Sequence, residues 1–263
     1  MRGSFLKEPK QRRGLYLIPN LLTTGNLFSG LASILFVFNE NFFAAAIAIL
    51  VAIIFDILDG TSARLMKSTS QFGLHYDSLG DLISFGVAPG LVIYAWALNT
   101  PSMLGAAVMF AFVACGALRL ARYNVSALAN EGKPFTGLPI PGAAGVVASL
   151  VIFDHHVVEL GDTVRPIAGI VMSLVLAFLM VSTVKYRSVK ELKFRESHHF
   201  NYLVYAVLVL MAVLAYPQLM LLVVFGVYAA SGLVEQGVQS LSKAFGKKKE
   251  TEGSPQSVTN PKA

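Results

Sequence analysis

Four carboxylates, Asp56, Asp59, Asp77 and Asp81, stand in one stretch, FDILDGTSARLMKSTSQFGLHYDSLGDL, between two of the most apolar runs of the chain. Asp56 and Asp59 are three residues apart, Asp77 and Asp81 four. On a helix each spacing puts both side chains on one face. The polar turn KSTSQFG joins the pairs, so the helices that carry them lie side by side. If those faces meet, four acids converge within a few ångströms, where like charges without a cation would force protonation. Hard divalent cations bound by oxygen resolve the repulsion, Mg²⁺ or Mn²⁺ being the natural choices. Four shared carboxylates suffice for two ions, a device suited to phosphoryl displacement.

The residues between the acids agree with that chemistry. Gly60 and Ala63 follow Asp59 on its helical face, and Arg64 continues the face, where it can pair with a phosphate. Gly73 lies four before Asp77 and leaves room on its own face. Small residues also mediate close helix packing in membranes. Beside four aligned acids they predict a ligand slot.

The elements that must position this stretch are membrane helices. The chain has 263 residues, 55% hydrophobic and 14% charged, with a mean hydropathy of +0.63. That is too little charge for a water-soluble globule, where about 25% is usual. An all-α polytopic membrane bundle is expected. Candidate spans run near 17–38, 42–64, 74–98, 102–122, 139–154, 166–185, 200–216 and 218–238, about eight in all. The fifth is short and the third is interrupted by Asp77, Asp81 and Pro89, irregularities expected of helices that line a cavity. Arg2, Lys7, Lys10, Arg12 and Arg13 precede the first span, and putting them in the cytoplasm leaves only Arg165 in the outside loops. By the positive-inside rule both termini are then cytoplasmic. All four acids fall at the cytoplasmic membrane face, which spares them the roughly 2.5–3.5 kcal/mol cost of a charge at the centre of a span. Residues 1–16 form a basic N-terminal segment, 17–240 the membrane domain, and 241–263 a polar, basic tail expected to be disordered. The first apolar stretch is too long for a signal peptide and is read as a retained helix. The single Cys115 is apolar filler, and the His155–His156 and His198–His199 pairs are loop polarity.

Asp56-x2-Asp59-Gly60-x2-Ala63-Arg64-x8-Gly73-x3-Asp77-x3-Asp81 resembles, at every fixed position, the signature of the CDP-alcohol phosphatidyltransferases. The resemblance implies a membrane enzyme that moves a phosphatidyl group from a CDP-linked lipid to an alcohol and releases CMP. It implies a two-metal site held by Asp56, Asp59, Asp77 and Asp81, with Asp81 also the general base. Gly60, Ala63 and Arg64 would line the CDP site, and a homodimer is usual. IPNLLTTGNLFSG (18–30), LRLARYN (118–124) and FTGLPIPGAAG (135–145) are similar to segments of the serine-using branch. The substrates implied are CDP-diacylglycerol and L-serine among membrane lipids, with no nucleic-acid partner.

Other residues take roles from their place at the same membrane face. Asn20, Thr23 and Asn26 recur every three residues on the first span and are expected to touch the nucleotide. Arg119 and Arg122 share a face of the fourth span, and either suits a serine carboxylate or a lipid phosphate. Tyr123 and Asn124 are expected to bound the acceptor pocket, while Pro139 and Pro141 restrain entry to the fifth span. Inositol phosphate, glycerol phosphate and choline are alternative acceptors, because the signature handles only the shared donor. A cation transporter is the rival from another class, but a conducting route needs polar stations at several depths.

Overall fold

The computed structural model describes residues 17–66, 70–98, 103–128, 136–184 and 215–232, together with positions 207, 211 and 234. Among the described residues there is no β-strand. Helix α1 spans Leu17–Phe38 and α2 spans Phe42–Leu65, started by Asn41, whose side chain accepts from the Ala44 amide at 3.0 Å. Helix α3, Gln71–Asp81, begins on Ser70, whose hydroxyl accepts from Gly73 N at 2.9 Å. Each cap satisfies an amide that would otherwise lack an intrahelical partner. Further along are α4 (Ala88–Ile93), α5 (Met103–Leu128), α6 (Ile140–Phe153), α7 (Val164–Val181) and a shorter apolar helix α8 (Pro217–Gly232).

Among the described residues six helices are long and apolar enough to cross a membrane, and the chain is a multi-pass membrane protein. Phe28, Phe110 and Phe178 are each about 70% or more exposed on the outer surface of the bundle, as lipid-facing side chains are. The expected seventh span, 200–216, lies almost wholly outside the described residues, and so do the tails that would place the termini. The eighth corresponds over its described part to α8.

The third span is longer than its sequence promised. It runs unbroken from Gln71 to Leu98 because two π-helical segments, Leu82–Val87 and Tyr94–Leu98, flank α4. In a regular helix the Pro89 ring would strike the carbonyl four residues back. The wider turn that precedes it, closed by Ala88 N–H to Ile83 O, lets the helix pass the proline without breaking. The first π segment starts immediately after Asp81, so this irregularity does adjoin the acidic cluster.

The short fifth span has a different explanation from the expected one. A third π-helical segment, Asp154–Val158, extends α6 to a 19-residue rod. Among the described residues it contributes nothing to the cavity beside the acids. Ile140, Ala143, Ala144, Val147 and Val151 are buried, making α6 the central post of the bundle. Gly145 explains how closely its neighbours approach. A Cβ there would lie 2.2 Å from the Phe225 ring of α8.

At the end of the bundle away from the four acids, Asp154 is also buried, at 4% exposure. It accepts from Trp96 Nε1 at 3.0 Å and from Leu160 N, and pairs with Arg165 Nε at 3.2 Å. The Arg165 guanidinium also stands 5.9 Å from the centre of the Trp96 ring. This acid is fully partnered and serves as a joint between the third span, α6 and α7. His155 and His156 are exposed and pack with Phe43, at ring distances of 5.3 and 4.8 Å. His198 and His199 lie outside the described residues. Cys115 is a free, half-buried thiol.

Candidate active site

The helical spacings of the acids place one carboxylate above the next on α2 and on α3, and the packing of α1 against both helices draws the two faces together. One carboxylate oxygen from each of Asp56, Asp59 and Asp77 lies within 4.8 Å of the others. Asp59 and Asp81 are 4% and 7% exposed, whereas Asp56 and Asp77 are half-buried. Among the described residues no lysine or arginine forms a salt bridge with any of the four. Asp77 Oδ1 is buried and has no hydrogen-bond partner there. A buried acceptor left without a donor is costly. Converging oxygen-only ligands with such an orphan fit a hard divalent cation.

Helix α1 supplies the donors. Thr23 Oγ1 lies 3.0 Å from Asp59 Oδ2 and 3.1 Å from its own helix carbonyl, Pro19 O. Asn26 Nδ2 donates to Asp81 Oδ1 at 2.9 Å. Ser84, inside the π segment that follows Asp81, donates to Asn26 O at 3.0 Å. Gly30 allows that contact, since a Cβ there would be 2.6 Å from the Ser84 backbone. The polar stripe on α1 is therefore a clamp on the acids of two other helices.

A cavity of about 580 Å³ opens beside the cluster. Its walls include Asn20 and Thr23 of α1, Asp59, Gly60, Ala63 and Arg64 of α2, Gly73 and Asp77 of α3, and Tyr123 of α5. Gly60 faces open space. A Cβ there would meet only the tip of Arg64, at 3.4 Å. Gly73 would meet only the side chains of Ser70 and Asn20. Neither glycine is used for close contact between helix backbones, and both leave room in the cavity. Arg64 is exposed and its Nη2 donates to Thr61 Oγ1 at 3.2 Å.

Three expected site residues are employed differently. Asn26 is fully buried, does not line the cavity and is spent on Asp81, so it does not face a nucleotide there. Arg122 donates to the carbonyls of Val181 at 3.0 Å and Thr136 at 2.8 Å, and to those of Met180 and Ser182 at 3.3 Å. It ties α5 to the last turn of α7, whose carbonyls lack intrahelical donors, and its guanidinium is not available to an acceptor. Asn124 exchanges hydrogen bonds with Ser78 at 2.9 and 3.2 Å, bracing α5 against the α3 turn between Asp77 and Asp81.

Arg119 has the opposite surroundings from Arg122. Its guanidinium is within electrostatic range of Asp56 and Asp81, and its Nε is buried with no hydrogen-bond partner among the described residues. It is the cation nearest in role to what the sequence predicted for the pair. Tyr228 of α8, which sequence reasoning missed, is within the same range of Arg119. Gly142 marks its place in the sequence, since a Cβ there would lie 2.8 Å from the Tyr228 ring.

The family model described as CDP-alcohol phosphatidyltransferase matches residues 16–228. A relative from Helicobacter pylori named CDP-diacylglycerol–serine O-phosphatidyltransferase is 36% identical over 222 residues, covering 84% of this chain and 91% of its own length. A Bacillus subtilis protein of the same name is 32% identical over 174 residues, covering 66% of this chain and 92% of its own. An archaetidylserine synthase from Methanothermobacter thermautotrophicus is 37% identical over 183 residues, covering 69% and 74%.

Proposed function

The chain belongs to the CDP-alcohol phosphatidyltransferase family, and from that premise we propose that it transfers the phosphatidyl group of CDP-diacylglycerol to the hydroxyl of L-serine, giving phosphatidylserine and CMP. The observation that carries the reaction class is the convergence of Asp56, Asp59 and Asp77, with Asp81 in electrostatic range of all three, beside a cavity walled by signature residues. Serine as the acceptor is supported by the relatives' names, which keep serine while the lipid part differs between the bacterial and archaeal proteins.

In this reading Asp56, Asp59, Asp77 and Asp81 hold two divalent cations, Mg²⁺ or Mn²⁺. When bound, such ions neutralise the pyrophosphate of the donor and stabilise the departing CMP. The nucleotide takes the cavity bounded by Asn20, Thr23, Gly60, Ala63 and Gly73, with Arg64 at its rim to pair with phosphate. Asp81 takes the proton of the serine hydroxyl as the new O–P bond forms and the pyrophosphate P–O bond breaks. Asn26 keeps one oxygen of Asp81 occupied, which presents the other to the incoming hydroxyl. Arg119 receives the serine carboxylate, a match of planar donor to planar acceptor.

The layout supports an in-line displacement. Asp59 and Asp77 face the cavity, while Asp56 and Asp81 are the acids in range of Arg119. Donor and acceptor would then approach the acids from different sides, as attack opposite the leaving group requires. The Lys and Arg distribution supports a site at the cytoplasmic face of the cell membrane, in a membrane domain over 17–240 of about eight spans. A homodimer is the proposed assembly.

The test is to incubate purified protein with CDP-diacylglycerol, Mn²⁺ or Mg²⁺ and a panel of labelled alcohols. Serine-dependent CMP release with formation of labelled phosphatidylserine is expected. Release that depends on another alcohol and not on serine would overturn the acceptor assignment while leaving the family chemistry intact.

A further inference from the structure

We infer that Tyr76 and Ser78 are positioning residues for Asp77, a pair of hydrogen-bonded stops that fix the rotation of α3 and so aim this carboxylate into the acidic cluster. The inference rests on the reading of that cluster as a metal site. The four acids are not equally held. Thr23 and Asn26 of α1 reach Asp59 and Asp81 with hydrogen bonds of 3.0 and 2.9 Å. Asp77 Oδ1, by contrast, is buried with no hydrogen-bond partner among the described residues. One Asp77 oxygen nevertheless lies within 4.8 Å of oxygens of Asp56 and Asp59. What directs it there is the helix that carries it.

Successive side chains on a helix stand about 100° apart, so Tyr76 and Ser78 lie about 100° to either side of Asp77. Each is tied to a different helix. The Tyr76 hydroxyl shares a hydrogen bond of 2.9 Å with Thr24 Oγ1 of α1. Thr24 gives its single hydroxyl hydrogen to Asn20 O at 2.8 Å, so Tyr76 is the donor in this pair. The Tyr76 ring stacks on Phe72 one turn back, with centres 5.9 Å apart and planes 13° from parallel, which limits where the hydroxyl can reach. On the other side Asn124 Nδ2 of α5 donates to Ser78 Oγ at 2.9 Å. The Ser78 hydroxyl in turn donates to Leu74 O of its own helix, also at 2.9 Å, so the tie from α5 runs into the α3 backbone. A carboxylate oxygen stands roughly 5 Å from its helix axis, and a roll of about 15° would carry it about 1.3 Å. Metal–ligand distances hold to within about 0.2 Å. Two ties on opposite flanks of Asp77 resist that roll in both directions.

Tyr76→Phe removes one tie and keeps the ring on Phe72, and Ser78→Ala removes the other. Each should weaken Mn²⁺ binding to the full-length protein about tenfold, the lower end of what outer partners of a metal ligand contribute. Electron paramagnetic resonance reads that affinity without substrates. Ser78→Thr keeps the hydroxyl and should bind Mn²⁺ within about twofold of the wild type, since a helical threonine can still bond the carbonyl four residues back. Trp96→Phe breaks the bond to Asp154 at the far end of the bundle and should leave Mn²⁺ affinity unchanged. Wild-type affinity in either Tyr76→Phe or Ser78→Ala would overturn the inference. So would a loss in Ser78→Thr equal to that in Ser78→Ala, or an equal loss in Trp96→Phe, which would mean general loosening. Asp77→Asn separates these results from failure of the metal reading. If Asp77→Asn binds Mn²⁺ like the wild type, the metal reading falls and the inference with it. If Asp77→Asn alone loses affinity, the metal reading stands and the stops do not. Added to Asp77→Asn, Tyr76→Phe should cost nothing more, and full multiplication of the two effects would show that Tyr76 does not act through Asp77.

Discussion

Asn26→Leu separates the stability of this site from its chemistry. Asn26 is fully buried, and its amide nitrogen gives Asp81 Oδ1 a hydrogen bond of 2.9 Å. A bond of that kind to a charged acceptor is worth about 1.5–3 kcal/mol. The bond favours the charged form of Asp81, the form that can take a proton or hold a cation, so its loss depletes that form and slows turnover by up to about 10- to 150-fold. The fold responds differently. Asn26 Oδ1 is buried without a partner among the described residues, a cost of about 1–3 kcal/mol that leucine, with the same branched skeleton of four heavy atoms, removes. The Ser84 bond goes to the Asn26 backbone carbonyl and survives the substitution. Gain and loss nearly cancel, so the unfolding free energy should change by no more than about 2 kcal/mol. The assay is the initial rate of CMP release in mixed micelles at saturating Mn²⁺ and serine, beside a thermal melt of the same preparation. A rate within twofold of the wild type would refute a role for Asn26 in setting Asp81. So would a melt lowered enough to account for the lost rate.

Three further outcomes follow from the same geometry. Gly60→Leu should fold normally, because its side chain enters the cavity, yet raise the KM for CDP-diacylglycerol, whereas Gly145→Leu should fail to give stable protein because the Phe225 ring already occupies the space; detergent-solubilised melts and kinetics of the two variants distinguish cavity from packing. Asp77→Asn should lower Mn²⁺ affinity and turnover by roughly 100-fold or more, the upper end of what supporting residues of a metal site contribute, and should retain the helical circular dichroism of the parent; Mn²⁺ titration followed by electron paramagnetic resonance reads the affinity directly. Asp154→Ala leaves Arg165 and the Trp96 indole nitrogen without their shared acceptor and should destabilise the protein by about 3–5 kcal/mol, with the KM of the residual folded enzyme for either substrate unchanged.

The acids were legible in the sequence because their placement is local. Spacings of three and four residues fix a helical face whatever surrounds it, and a short turn between two helices leaves them no choice but to lie together. The membrane class was legible for an equally general reason, the scarcity of charge. The third and fifth spans were misread because a π-helical turn leaves no period of its own in so apolar a segment. Length alone then made α6 seem short, when its continuation carries Asp154, His155 and His156.

Partners distant in the chain were not legible, and the two arginines of α5 show why. Arg119 and Arg122 have the same charge, the same membrane depth and a spacing that puts them on one face. Three residues nevertheless advance a helix by about 300°, leaving the two side chains some 60° apart around the axis. That angle decides everything about them. One points among Asp56, Asp81 and Tyr228, and the other into the carbonyls that end α7. Asn26 is the same case on α1. Its period matches Asn20 and Thr23, but its partner Asp81 lies on another helix, reached only where Gly30 lets α1 settle onto the π segment. Periodicity assigns a residue to a face; which neighbour that face meets is set by the small residues that let helices close. In this chain Gly30 and Gly116 carry that information, standing four residues from Asn26 and three from Arg119, and Gly142 does so for the Tyr228 ring it packs against.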